Sequence, residues 1–171
     1  MSKPPPRILS IAGSDSGGGA GIQADIKTIT MLGGYAMTAI TAITAQNSRG
    51  VQALAALEDD MVVEQIDSCL TDFGADAIKI GMLASDDVAR SVQLALSGLD
   101  EEVPTVIDLV LAASDGTPLL ERRAWPVLRE LMQGASLVTP NLPEAELLTG
   151  LEIARKKDCE RVAATFLGDF G

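Results

Sequence analysis

A glycine-rich segment near the start of the sequence, residues 13–21, has the composition of a ligand-binding loop. It contains five glycines, with Ser14, Asp15 and Ser16 among them. Backbone N–H groups in such a loop can approach an anion or a flat ring closely, and a following helix N-terminus favours negative charge. A helix terminus contributes only about 0.3–1 kcal/mol. We therefore expect this loop, including Gly18 and Gly19, to bind or shape a ligand, or to be only a tight turn, but not to catalyse.

Two phosphate-binding fingerprints are absent from this loop. Ile22 stands where the dinucleotide pattern G-x-G-x-x-G requires its third glycine, and a P-loop would need Lys followed by Ser or Thr after its second glycine. The loop therefore indicates neither a Rossmann-type dinucleotide site nor a P-loop nucleotide site.

Three polar side chains further along have both a structural and a functional interpretation. In the structural interpretation, Asp25 is a solvent-exposed acid near the start of a predicted helix, where the helix dipole stabilises its negative charge. Gln46 is either a turn residue or a ligand contact. Lys79 lies in an apolar run, AIKI, where a buried and unpaired ammonium group would be unusual.

Three oxygen-bearing residues suit a metal–phosphate cluster. Asn141 and Glu144 have the spacing of a helix N-cap and a first-turn acid. The same two side chains, together with Asp108, could instead help to organise Mg²⁺ and phosphates, because magnesium prefers oxygen ligands and keeps several waters.

Short apolar runs alternate with helical patterns throughout, which predicts an α/β fold with a mostly parallel sheet and helices on both faces. We predict one domain over residues 1–171. The predicted strands are residues 7–12, 36–45, 51–57, 77–80, 105–108 and 137–139. The predicted helices are residues 22–32, 59–71, 86–96 after a Ser85 cap, 125–132, a short helix at Pro143, and 157–167. Because ligands bind at the carboxyl ends of parallel strands, the candidate residues should gather at one edge of the sheet.

Composition excludes several function classes. The 171 residues include 13 basic and 24 acidic side chains, giving a net charge of −11, and no histidine. Histidine-dependent triads and histidine metal sites are therefore excluded. The negative charge and the aromatic content of 3% argue against nucleic-acid and anionic-membrane partners. Cys69 and Cys159 form no CxxC pattern, which favours a reducing cytoplasm over a disulfide framework.

Four segments together resemble the hydroxymethylpyrimidine/phosphomethylpyrimidine kinases of thiamine biosynthesis, a branch of the ribokinase-like superfamily. The segments are IAGSDSGGGAGIQAD (residues 11–25), TAQNSRGV (44–51), KIGML (79–83) and TPNLPEAE (139–146). The match covers about residues 8–150, and the order and spacing of the segments make it specific.

The resemblance implies a ribokinase-like fold and ATP- and Mg-dependent phosphoryl transfer to a small pyrimidine and then to its monophosphate. It implies that Asp25, Gln46 and Met82 line the pyrimidine pocket, and that Asn141 and Glu144 help to organise Mg and phosphates. The family is commonly dimeric, so the resemblance also implies a homodimer.

Two departures from the family pattern affect these expectations. Leu109 follows Asp108 where the family usually has proline. Family members also continue beyond the length of this chain, into a part with further strands, most of the ATP site, and a glycine-rich anion hole ending in a catalytic cysteine. We therefore expect a fold that is incomplete at its C-terminus and a 171-residue chain that is inactive or nearly so, with no catalytic residue of its own.

Two alternatives remain open at this point. The chain could be a non-catalytic pyrimidine-binding protein, or a sibling kinase acting on pyridoxal or a sugar. A kinase loses about 10²–10⁴ in rate without a general base and a further 10²–10³ without one anion-hole donor, which is why we expect little or no turnover. Calorimetry with hydroxymethylpyrimidine, with and without Mg-ATP, separates the kinase from the binding protein, because the binding protein would bind the pyrimidine without the nucleotide.

Overall fold

A computed structural model describes residues 4–99, 103–113 and 116–170. Within these ranges the chain forms six strands and six α-helices, and a short 3₁₀ turn, Arg122–Ala124, leads into the fourth helix. The strands are β1 (Arg7–Asp15), β2 (Tyr35–Asn47), β3 (Gly50–Ala56), β4 (Ala77–Ile80), β5 (Thr105–Ile107) and β6 (Leu137–Val138). The helices are α1 (Gly21–Met31), α2 (Asp59–Asp72), α3 (Asp86–Ser97), α4 (Trp125–Gln133), α5 (Leu142–Thr149) and α6 (Lys156–Phe170). In the ranges that the structure describes, no helix combines the length and the apolar character needed to cross a membrane.

The strands form one sheet in the order β3-β2-β1-β4-β5-β6. Every neighbouring pair is parallel except β2 and β3, which form an antiparallel hairpin. The predicted mostly parallel α/β sheet is therefore confirmed. Because these strands are parallel, the carboxyl ends of β1, β2, β4 and β5 lie at one edge of the sheet. The candidate side chains follow these strands, so they are placed near one another, as a shared site needs.

Alternate residues of each strand point to opposite faces of the sheet, and helices pack against both faces. Leu9 and Ile78 lie in the main core, which α2, α3 and α4 close with Ile66, Val88 and Leu128 among other side chains. Ser10 and Lys79, one residue further along their strands, face the other side and contact α1. The apolar face thus stabilises the fold, whereas the α1 face carries polar groups.

Two strands continue two or three residues beyond their predicted ends, whereas the ends of the other strands agree to within one residue. β1 continues past Ala12 to Asp15, because Ser14 and Asp15 resume pairing with β2 after a register shift. β2 continues through Gln46 and Asn47, which pair with β3 instead of forming a wide turn. Tertiary pairing therefore places part of the glycine segment and Gln46 on strands, where their backbones are held in position.

Candidate functional site

A cavity of about 290 Å³ opens at the carboxyl ends of the central strands. One wall is the β1–α1 segment, a second is the end of β2, and a third is the loop that follows β5. Of the residues proposed from the sequence, Asp25, Gln46, Met82 and Asp108 line this cavity, as does Lys79. Gly18, Gly19, Asn141 and Glu144 do not line it.

Asp15 organises the glycine loop. Its carboxylate accepts hydrogen bonds from the N–H groups of Gly17 (2.8 Å), Gly19 (2.9 Å) and Ala20 (2.8 Å), and its carbonyl oxygen accepts from Gly18 N–H (2.9 Å). Helix α1 has no side-chain cap at its own N-cap position, Ala20, so Asp15 supplies this function from the end of β1. The loop amides therefore already have an anionic acceptor inside the chain.

Two glycines are required by close contacts at the cavity wall. A Cβ atom at Gly21, whose φ is +57°, would lie 2.3 Å from the Gly13 carbonyl oxygen. A Cβ atom at Gly13 would lie 2.2 Å from Cε of Met82. The first contact lets α1 start directly against β1, and the second lets Met82 pack flat against the strand.

Asp25 is not the solvent-exposed acid that its position near the start of a helix suggests. Its Oδ2 atom accepts a hydrogen bond from the Ser10 hydroxyl (2.6 Å) and forms an ion pair with Lys79 Nζ (3.2 Å). The Asp25 and Lys79 side chains are 19% and 24% exposed. Among the described residues, no donor contacts the other oxygen, Oδ1. This half-buried pair satisfies the charge of Lys79 and leaves one carboxylate oxygen available at the cavity.

Gln46 is held by a short polar network at the end of β2. Its Oε1 accepts from the Thr44 hydroxyl (3.2 Å), and its backbone N–H donates to Ser16 Oγ (2.8 Å). Gln23 ties this network to β1 by accepting from Asp15 N–H (2.8 Å) and donating to Ser14 Oγ (2.7 Å). No acceptor for Nε2 of Gln46 lies among the described residues, so its donor is available to a ligand.

Met82 follows β4 and is 7% exposed. The buried Thr41 hydroxyl donates to the Met82 carbonyl oxygen (2.6 Å), which fixes the backbone of this turn. The flexible thioether side chain lies against Gly13, where it forms an apolar surface of the kind that a flat ring can contact.

The loop after β5 supplies the remaining wall. Asp108 lines the cavity, and Leu109 packs into the main core with 2% of its surface exposed. Val110, Ala112, Ala113 and Leu119 also line the cavity. Leucine in place of the family's proline therefore anchors the loop by burial.

Asn141 and Glu144 form the capping box of α5. The Asn141 side chain accepts from Glu144 N–H (2.9 Å), and Glu144 Oε2 accepts from Asn141 N–H (2.9 Å). The structural interpretation of this pair is confirmed, and its metal role stays a prediction. Among the described residues, no group of three or more His, Cys, Asp or Glu side chains could hold a metal ion.

Sequence reasoning missed Ser10, Thr44 and the wall that Val110, Ala112, Ala113 and Leu119 form. Ser10 and Thr44 are polar, buried residues in apolar strands, which is the one signal that could have indicated them. The wall residues are small or aliphatic and carry no chemical signal. They line the cavity only because the loop folds back over the strand ends.

Comparisons with known proteins agree on one family. A family model for phosphomethylpyrimidine kinase matches residues 15–170. The hydroxymethylpyrimidine/phosphomethylpyrimidine kinase of Mycobacterium tuberculosis H37Rv is 46% identical over 168 residues, covering 98% of this chain and 61% of the relative. The chain thus spans about 61% of the length of this curated relative.

Solved structures show the same fold. The crystal structure of phosphomethylpyrimidine kinase from Clostridium difficile 630 superposes with a TM-score of 0.86 at 40% identity, covering 95% of this chain and 71% of that one. Pyridoxal kinase from Staphylococcus aureus in complex with AMP-PCP gives 0.83 at 30% identity, covering 96% and 60%. The ribokinase-like architecture expected from the sequence is confirmed.

Proposed function

Because the chain belongs to the phosphomethylpyrimidine kinase family, we propose that it carries the substrate-binding part of a thiamine-biosynthetic kinase. The reaction is ATP-dependent phosphorylation of 4-amino-5-hydroxymethyl-2-methylpyrimidine and then of its monophosphate. The observation that carries this proposal is the cavity at the strand ends, in which Asp25 and Gln46 each present an unused polar atom.

The two unused atoms match an aminopyrimidine edge. Such an edge places an amino donor beside a ring nitrogen acceptor. Asp25 Oδ1 would accept from the amino group, and Gln46 Nε2 would donate to the ring nitrogen. Met82 would contact the ring face. A volume of about 290 Å³ lies at the lower end of small-molecule sites, as a single-ring substrate requires.

This arrangement favours an aminopyrimidine over pyridoxal. An aminopyrimidine presents an amino donor and a ring-nitrogen acceptor side by side, which matches the free Asp25 Oδ1 and Gln46 Nε2. Pyridoxal has no amino group, and its donors are its hydroxyl groups and, when protonated, its ring nitrogen, so it would pair differently with these two side chains. The similarity to the pyridoxal kinase fold therefore supports only the architecture of the site, whereas the polar groups in the cavity favour a pyrimidine as its substrate.

For phosphoryl transfer we propose a supporting role for Asp108, Asn141 and Glu144. Mg²⁺, when bound with ATP, would neutralise phosphate charge. These residues fit a metal held mostly by phosphate oxygens and water, because Asp108 lines the cavity, whereas the Asn141 and Glu144 oxygens already accept backbone N–H groups. Each carboxylate oxygen retains a further acceptor position for a metal-bound water.

For the 171-residue chain alone we propose pyrimidine binding without turnover. The glycine-loop amides are bonded to Asp15, and Cys69 and Cys159, on α2 and α6, are not among the residues that line the cavity. A backbone anion hole and a catalytic cysteine at the site are therefore not among the groups that the structure describes. A non-catalytic pyrimidine-binding protein is the second candidate that this observation favours.

We also propose a cytoplasmic homodimer. β2 and β3 carry no charged residue, β3 is an edge strand, and Ile43 and Leu54 are 51% and 41% exposed. An uncharged apolar edge strand is a surface that a second copy can cover by symmetric pairing. Sedimentation equilibrium tests this proposal, and a monomer across micromolar concentrations would contradict it.

Isothermal titration calorimetry with the hydroxymethylpyrimidine, with and without Mg-ATP, tests the binding proposal. Asp25→Asn should weaken pyrimidine affinity about tenfold to a hundredfold, because it removes a charged acceptor. Asp76→Asn is the matched control. It weakens the exposed ion pair between Arg7 and Asp76 at the other end of the sheet and should leave affinity unchanged.

Each outcome of the titration has a distinct meaning. Tight pyrimidine binding with weak pyridoxal binding supports the proposed substrate class. Tighter binding of pyridoxal would contradict it and favour the sibling kinase. Release of ADP by the purified 171-residue chain would contradict the proposal that this chain does not turn over.

A further inference from the structure

We propose that Glu144 is a positioning residue that holds one wall of the substrate cavity through the backbone of Leu111. This role is separate from its part in the α5 capping box and from any contact with metal or phosphate. The identity of the cavity's ligand rests on the proposed function, whereas the contact between Glu144 and the wall does not.

The Glu144 carboxylate joins two segments that are distant in sequence. Oε2 accepts from Asn141 N–H at 2.9 Å, and Oε1 accepts from Leu111 N–H at 3.1 Å. The residue is 5% exposed. A buried carboxylate that accepts two backbone N–H groups makes stronger hydrogen bonds than a neutral acceptor, so both segments are held firmly.

Leu111 is the base of the cavity wall. Its N–H is bonded to Glu144, and its carbonyl oxygen accepts from Leu119 N–H at 2.9 Å. Beyond it, Ala112 pairs with Pro118 in an antiparallel bridge. Because of these contacts, the positions of the wall residues Ala112 and Leu119 depend on the position of the Leu111 backbone.

The backbone conformation of Val110, the residue before Leu111, shows why the Glu144 contact matters for the wall. Val110 lines the cavity and has a φ of +43°, a left-handed conformation that a β-branched residue adopts only under strain. Strain of this kind persists when neighbouring contacts overdetermine the backbone. The core packing of Leu109 on one side and the Glu144 contact on the other supply that constraint.

Two substitutions at Glu144 separate positioning from charge. Glu144→Ala removes both acceptors. Glu144→Gln keeps one oxygen that can accept from the Leu111 N–H. The Asn141 N–H would lose its acceptor, and because Asn141 is exposed, water can replace it. A positioning role predicts that glutamine rescues the wall, whereas a role that depends on negative charge predicts that glutamine fails as alanine does.

A matched control lies on the same helix. Glu146 Oε1 accepts from Ile153 N–H at 2.5 Å, so Glu146→Ala removes a carboxylate–backbone contact of the same kind from a segment that does not line the cavity. Amide hydrogen exchange, resolved by NMR and normalised to β1 and β4 amides, reports on the wall without any ligand. Calorimetry with the hydroxymethylpyrimidine then reports on binding.

Glu144→Ala should speed exchange at Leu111 about tenfold or more, because a charged hydrogen bond is lost. It should also weaken pyrimidine binding about threefold to tenfold. Glu144→Gln should lose clearly less than Glu144→Ala in both measurements, because its amide oxygen still accepts from Leu111 N–H, although more weakly than a carboxylate. Glu146→Ala should change exchange at Ile153 alone.

Unchanged exchange at Leu111 in Glu144→Ala would overturn the proposal, and so would a glutamine variant as defective as the alanine variant. If wild type does not bind the pyrimidine, the proposed function fails, and the exchange measurements still decide whether Glu144 positions the wall.

Discussion

Asp15, the last residue of β1, should contribute more to stability than a single acidic residue beside an exposed glycine loop would suggest. The residue is 6% exposed, and its carboxylate accepts three backbone N–H groups at 2.8–2.9 Å. Asp15→Ala would leave all three donors without their acceptor. It would also leave α1 without a side-chain cap, because Ala20 at the N-cap position offers none.

The magnitude follows from these contacts. A hydrogen bond to a charged group contributes about 1.5–3 kcal/mol when it is buried. Gly17, Gly19 and Ala20 are exposed residues, so water can replace part of each lost contact. We therefore expect Asp15→Ala to lower the free energy of unfolding by about 2–4 kcal/mol, which is less than the roughly 4.5–9 kcal/mol that three fully buried bonds of this kind would contribute. Asp15→Asn keeps one acceptor oxygen and should lose about half as much.

Urea denaturation followed by far-UV circular dichroism measures these differences directly. Asp60→Asn is the control, because Asp60 is an exposed acid in the first turn of α2 and should lose no more than about 0.3–1 kcal/mol of dipole interaction. A value for Asp15→Ala that equals the control value would refute the claim that Asp15 organises the loop.

Two further substitutions test the site, and one reactivity measurement tests a thiol on α2 outside it. Gly21→Ala should cost about 2 kcal/mol or more in urea denaturation, because its Cβ would meet the Gly13 carbonyl oxygen at a strained φ. Gly13→Ala should displace the flexible end of Met82, lowering stability by only about 1 kcal/mol but measurably weakening pyrimidine binding in calorimetry. Burial raises the pKa of the Cys69 thiol, so at pH 8 it should react with iodoacetamide more slowly than free cysteine, as followed by mass spectrometry, and equal rates would contradict this.

Local signals in the sequence predict the elements well. Ser85 is predicted to cap α3, and its side chain accepts from Val88 N–H at 3.2 Å. Asn141 and Glu144 are predicted to start α5, and they form its capping box. These contacts span only three residues, so the sequence pattern contains both partners and the geometry follows from helix formation alone.

Contacts between elements were not predictable in the same way. Asp25 and Lys79 are 54 positions apart and meet only because α1 packs on the face of the sheet that carries Lys79. Glu144 and Leu111 are 33 positions apart and meet only after the loop following β5 has folded back. Local propensity describes each partner separately, and packing decides which partners meet.

The proposed function depends on the cavity at the strand ends binding an aminopyrimidine through Asp25 and Gln46. A crystal structure of the chain soaked with 4-amino-5-hydroxymethyl-2-methylpyrimidine tests it most directly. We predict a ring in this cavity, with its amino group on Asp25 Oδ1 and a ring nitrogen on Gln46 Nε2. A ring bound elsewhere, such as the second cavity between α3 and α4 near Gln93, or an empty strand-end cavity at saturating ligand, would contradict this binding mode.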